Sequence, residues 1–208
     1  MRERPILFRA PMVRALLAGT KTQTRRVLSP KGYTLPSDTS SRAWKYGPLG
    51  LTNEEGGGLK AYPLPGCPYG ILGARLWVKE SFRLRADQDH KPPSQDAWKD
   101  SAWHEATGNG ETPSGCGGGI GRLRASIHMP RWASRIDLEI TEVRVQRLQD
   151  ITEADARAEG VEPKDGDGHR GYEPARDRYA ALWDEINGAG SWDANPWAWC
   201  LSFTRSKP

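Results

Sequence analysis

Residues 18–27 read AGTKTQTRRV, a row holding three threonines, a glutamine and three cations. In a regular strand Lys21, Gln23 and Arg25 project to one side and Thr20, Thr22, Thr24 and Arg26 to the other, so both faces stay polar until Val27. Such a strand does not suit the centre of a hydrophobic sandwich. It either lines a wet pocket on one side with solvent on the other, or lies at an exposed sheet edge where threonine supplies β-propensity and the cations oppose aggregation. Alternation also puts Lys21 and Thr24 on opposite faces. A joint role for them therefore needs a tight turn or bulge after Gly19, which glycine makes inexpensive.

Working outward, Ile6-Leu7-Phe8 reads as a short strand, followed by a helix with Pro11 at its start, Met12, Val13, Leu16 and Leu17 at helical spacing, and Gly19 as its stop. Gly73 to Leu84 alternates as one strand: Leu76, Val78, Phe82 and Leu84 share a face with Glu80, and Arg75, Trp77, Lys79 and Arg83 share the other. Later, Ile136, Leu138 and Ile140 alternate and then slip phase to Val143 and Val145, which predicts one strand with a bulge near Thr141-Glu142. Thr152 with Asp155 forms a capping-box pattern for a short helix ending at Gly160. Tyr179, Leu182, Trp183 and Ile186 mark another helix, ended by Gly188. After Asn195-Pro196 a last strand puts Trp197, Trp199, Leu201 and Phe203 on one face, with Ala198, Cys200, Ser202 and Thr204 opposite. Ser29 to Gly70 and Arg85 to Arg124, rich in glycine, proline and polar residues, read as two long insertions. The pattern predicts one α+β domain over residues 1–208, a small mixed β-barrel with short flanking helices.

The 208 residues carry 30 Lys plus Arg against 26 Asp plus Glu, a net charge of +4 that implies a mild attraction to polyanions. Gly121 to Ile136 holds Arg122, Arg124, Arg131 and Arg135 without a carboxylate, so it reads either as a phosphate-holding segment or as a solvated basic loop. Cys67, Cys116 and Cys200 form no CxxC pair and no regular spacing with His90, His104, His128 or His169, which argues against a disulfide framework or a zinc site. No signal peptide or stretch of eighteen apolar residues is visible, so the expected location is cytoplasmic.

Glu80 is the least comfortable residue. Strand periodicity directs its carboxylate toward the core face, where it must be partnered or protonated; at a barrel rim it would pair with a surface arginine.

GTKTQTRR, GARLWVKESF, LWDEING and NPWAWCLSF together resemble the ASCH family, most closely its phage and prophage members with long insertions. The likeness covers most of the chain outside the two insertions. It implies a PUA-like β-barrel, a fold associated with RNA binding and nucleobase-sized pockets. It also implies relatedness to small bacterial amidohydrolases that remove the acetyl group from the exocyclic amine of 4-N-acetylcytidine, without a metal or cofactor. Carried onto this sequence, the catalytic set becomes Lys21, Thr24 and Glu80. Thr24 would be the nucleophile, with Lys21 and Glu80 dividing base, orienting and acid roles in either order. Backbone N–H groups at Gly19-Thr20 are candidate oxyanion donors. Gln23, Arg25, Arg26, Trp77, Arg122, Arg124, Arg131, Trp132 and Arg135 are candidate substrate contacts, the tryptophans as stacking platforms or core and the arginines for a nucleotide or RNA. The alternative is a non-enzymatic nucleic-acid-binding module using the same pocket; nuclease activity is a third.

Overall fold

The computed structural model describes residues 3–28, 44–47, 50–53, 66–95, 102–108, 119–165 and 171–206. Its strands are β1 (Arg4–Leu7), β2 (Gln23–Val27), β3 (Trp44–Gly47), β4 (Gly50–Asn53), β5 (Arg75–Lys79), β6 (Phe82–Arg83), β7 (Trp103–His104), β8 (Asp137–Arg147) and β9 (Trp197–Arg205). The helices are α1 (Ala10–Ala18), α2 (Glu153–Ala158) and α3 (Ala175–Asn187). The architecture is α+β around a mixed seven-stranded sheet, with β6 and β7 forming a separate pair.

The long strand β8 organises the sheet. Along one edge it pairs antiparallel with β9. Along the other it pairs first with β5, through Asp137 to Glu139, and then with β3, through Arg144 and Val145. The register shifts between Ile140 and Glu142, so the predicted bulge is present, and it lets one strand serve these two partners at its ends. β1 adds parallel to β5, while β2 pairs antiparallel with β9. Among the described residues β1 and β2 do not pair with each other, so the sheet is open rather than the closed barrel expected.

Three further expectations change. The Gly73–Leu84 strand breaks at Glu80-Ser81, and its second half pairs with β7 instead of continuing the main sheet. Leu76 and Val78 accordingly enter the main core, whereas Phe82 and Leu84 pack with Met129 and Ala133 in a small separate cluster. Within the first supposed insertion, β3 and β4 form a hairpin that extends the sheet; much of that insertion, including Gly56-Gly57-Gly58, lies outside the described residues, as do Gly117-Gly118, Cys116 and His169.

α1 follows its sequence signals. Pro11 occupies its first turn, and Gly19 terminates it in the left-handed conformation at φ +78°. Val13 and Leu16 are buried in the main core, each contributing about 1.5–3 kcal/mol of hydrophobic stabilisation. A second core, built from Leu148, Ile151, Ala156, Val161, Ala175, Tyr179 and Trp183, joins α2 and α3. α2 opens with a full capping box: the Thr152 hydroxyl accepts from the Asp155 amide, and the Asp155 carboxylate accepts from the Thr152 amide. β9 lies between these cores, buried on both faces from Trp197 to Leu201.

Candidate functional site

A cavity of about 350 Å³ opens between the α1–β2 corner and α3. Its wall includes Phe8 and Met12 from the N-terminal segment, Lys21, Thr24, Arg25 and Arg26 from the threonine-rich row, Ser81 and Ser126, and Glu159, Tyr179 and Trp183 from the helical side. This volume suits a nucleoside-sized ligand.

The polar floor is a buried ion cluster. Lys21 is 3% exposed and its Nζ donates to Glu159 Oε2 at 2.7 Å and to the Glu159 backbone carbonyl at 2.8 Å. An ammonium has three N–H bonds, so one remains for a ligand. Arg25 spans two carboxylates, Nη2 lying 3.1 Å from Asp155 Oδ2 and Nη1 3.4 Å from Glu159 Oε1. The Gln23 side-chain carbonyl accepts from the same guanidinium, and Tyr179 Oη donates to Glu159 Oε1 at 3.4 Å. Gln23 therefore positions Arg25 and does not itself line the cavity.

Local structure explains how these groups meet. The ladder of β2 begins only at Gln23; before it, Lys21 forms an isolated bridge with Glu159, and the Thr22 amide donates to the Ala158 carbonyl. The row thus departs from simple alternation, so that Lys21 and Thr24 line one cavity while Thr20 and Thr22 face solvent. Gly160, at φ +85°, turns the chain directly over this bridge. A Cβ there would come within 2.9 Å of Ala15 Cβ and 3.1 Å of Lys21 Cβ.

Burial pushes the Lys21 pKa down, Glu159 pulls it up, and Arg26 and Arg25 add to the lowering; the result lies below the ordinary lysine value. Burial and the adjacent Glu159 hold Tyr179 well above the ordinary phenol value. Burial alone would raise Asp155, but Arg25, the Thr152 amide and Arg144 outweigh it and leave that carboxyl below its usual value. Behind the cluster, burial raises the Cys200 thiol to about 12 against the pull of Arg25 and Arg144. Among the described residues the Thr24 hydroxyl has no hydrogen-bond partner.

Glu80 is elsewhere. It is 1% exposed and its carboxylate accepts a fork of hydrogen bonds from Arg135, Nε to Oε1 at 2.9 Å and Nη2 to Oε2 at 3.0 Å. It does not line the cavity; its neighbour Ser81 does. The carboxylate that meets Lys21 is Glu159. A sequence signal for this existed: Asp155 and Glu159 lie four residues apart, and like charges so placed on a helix repel unless a cation bridges them. Gly19 and Thr20 are also reassigned. Their amides donate to the Leu16 and Ala15 carbonyls, closing α1, so they offer no oxyanion hole.

The basic segment is compensated from distant sequence. Arg124 pairs with Asp89 at 3.2 Å, Arg131 with Glu3 at 2.7 Å and Asp137 at 2.9 Å, and Arg135 with Glu80. The Arg122 backbone amide donates to the Asp89 carboxylate. Trp77 lies outside the cavity with Lys79 Nζ and Arg131 Cζ at 5.4 and 5.9 Å from its ring centre, and Trp132 packs against the Phe82 cluster. None of Arg122, Arg124, Arg131, Arg135, Trp77 or Trp132 lines the cavity. Among the described residues no group of three His, Cys, Asp or Glu side chains is arranged to hold a metal ion, and no helix is long and apolar enough to cross a membrane.

Comparison of the chain with family models, with curated proteins and with solved structures found no match.

Proposed function

We propose that the protein is a PUA-like, ASCH-type amidohydrolase that removes an acyl group from the exocyclic amine of an acylated cytosine, free or in a nucleotide, with the catalytic set Lys21, Thr24 and Glu159. The observation that carries this reading is a buried lysine with a lowered pKa, bonded to a buried carboxylate, in the same cavity wall as an unengaged threonine hydroxyl. Thr24 Oγ attacks the acyl carbon and gives its proton to the buried Lys21–Glu159 pair. Collapse of the tetrahedral intermediate breaks the C–N bond, and the leaving amine takes the proton from that pair. Water then hydrolyses the acyl ester on Thr24.

The Glu80 role carried over from the resemblance passes to Glu159, because both Glu80 oxygens are held by Arg135. The reading as a nucleic-acid-binding module draws less support: it needs cations free to meet phosphates, and Arg124, Arg131 and Arg135 are committed to carboxylates.

Mass spectrometry of the purified protein against 4-N-acetylcytidine tests the reading. Turnover is expected for the wild type, and a loss of at least about a hundredfold in kcat for Thr24→Ala, Lys21→Met and Glu159→Gln, with the double variant Lys21→Met/Glu159→Gln no worse than either single one. Full activity in Thr24→Ala removes Thr24 as nucleophile.

A further inference from the structure

The charges around the cavity do not balance. Arg9, Lys21, Arg25 and Arg26 line it against the single carboxylate of Glu159. An anion is the ligand that such an excess of cations favours. The imbalance is also graded with depth. Lys21 and Arg25 share Glu159 at the floor, and Asp155 further neutralises Arg25. Arg26 has no carboxylate partner among the described residues. Its guanidinium sits 5.2 Å from the centre of the Phe8 ring, and one Nη donates to the Leu7 carbonyl. It is thereby held in place with its other Nη unengaged among the described residues. Arg9, paired at 3.1 Å with Glu185 where both side chains are well exposed, is released at little cost. The hydroxyl residues Ser81 and Ser126 line the same cavity, while Met12, Leu182 and Trp183 give it an apolar side fit for a base.

From this gradient we infer that the cavity takes a phosphorylated monomer, a pyrimidine nucleoside monophosphate carrying the acyl group, with the phosphate on Arg26 and Arg9, assisted by Ser81 and Ser126, and the acylated base directed to Lys21 and Thr24. The assignment rests on the amidohydrolase reading for the acyl group but not for the phosphate. It also transfers the phosphate contact from the Arg122–Arg135 segment, where Arg124, Arg131 and Arg135 face carboxylates, to the cavity itself. A charge-assisted contact of this kind favours the phosphorylated ligand by about tenfold or more.

The test compares 4-N-acetylcytidine with its 5′-monophosphate as substrates, and cytidine with cytidine monophosphate as ligands by calorimetry, in the wild type and in Arg26→Gln. The expected results are a kcat/KM at least about tenfold higher for the monophosphate, a similar ratio in affinity, collapse of both ratios toward one in Arg26→Gln, and a KM for the monophosphate that rises with salt. Equal kcat/KM for the two substrates overturns the phosphate site and leaves the hydrolase reading standing. Absence of turnover with tighter, Arg26-dependent binding of cytidine monophosphate retains the phosphate site and removes the hydrolase reading. Equal or absent binding of both ligands overturns the inference, and tighter binding of an unmodified RNA oligomer overturns the choice of a monomer. If circular dichroism shows Arg26→Gln unfolded, Ser81→Ala and the salt series on the wild type read the same ratios.

Discussion

At the residue scale, the two buried glutamates have unlike roles. Glu80 faces a single arginine outside the cavity, whereas Glu159 collects Lys21, Arg25 and Tyr179 within it. Glu80→Gln is therefore expected to destabilise the fold by about 1–3 kcal/mol in urea unfolding while changing turnover of acetylcytidine only a few-fold. A hundredfold loss of kcat in a folded Glu80→Gln protein would restore Glu80 to the reaction. Lys21 and Thr24 were legible in the sequence as polar residues of one short row, and Glu80 as an acid on an apolar face. Glu159 carried only the signal of its spacing from Asp155, because its partner lies far away in sequence and a glutamate before a helix-ending glycine reads as an ordinary solvated helix terminus. The arginine partners were hidden for the same reason: local composition counts charges along the chain, and the compensating carboxylates of Glu3, Asp89 and Asp137 arrive through folding.

At the element scale, legibility followed local signals. α1 carried proline and glycine at its ends, α2 its capping box, α3 its apolar stripe, and β8 its phase slip; each is complete within a dozen or so residues. The β3–β4 hairpin was obscured by glycine-rich surroundings, and the break after β5 by an apolar alternation that runs through it although Phe82 and Leu84 serve a different core. The turn at Gly160 joins element to site. Its positive φ, and the 2.9 Å that would separate an added methyl from Ala15 Cβ, leave no room for a side chain. Gly160→Ala should lower stability by about 1–3 kcal/mol and also reduce kcat, since the added carbon pushes on Lys21. Unchanged kcat with reduced stability would separate the turn from the placement of the lysine.

At the scale of the whole molecule, the buried titratable groups make stability depend on alkaline pH. Cys200 ionises near 9.0 when unfolded and at about 12 in the fold, so its contribution is complete below pH 9 and is lost as pH rises toward 12. Tyr179 acts in the same direction from about pH 10 upward. Lys21 acts oppositely: its lowered pKa makes the unfolded chain bind more protons just below pH 10.5, so its penalty eases as pH rises to that value. Urea unfolding of wild type and Cys200→Ala between pH 8.5 and 11 should show a stability difference that shrinks as the thiol's share disappears; a constant difference would contradict a buried, protonated Cys200.

The pairing of Thr24 with Leu201 joins a strand near one end of the sequence to the last strand of the sheet. During synthesis the threonine-rich segment must therefore wait, its lysine and arginines still hydrated, until β9 has left the ribosome and offers a ladder to dock on. The cavity wall is thus completed only when β9 is available: a nascent protein halted before Trp197 keeps α1 and the β1–β5 pairing within reach but has no strand against which to set the wall that holds Lys21 and Thr24.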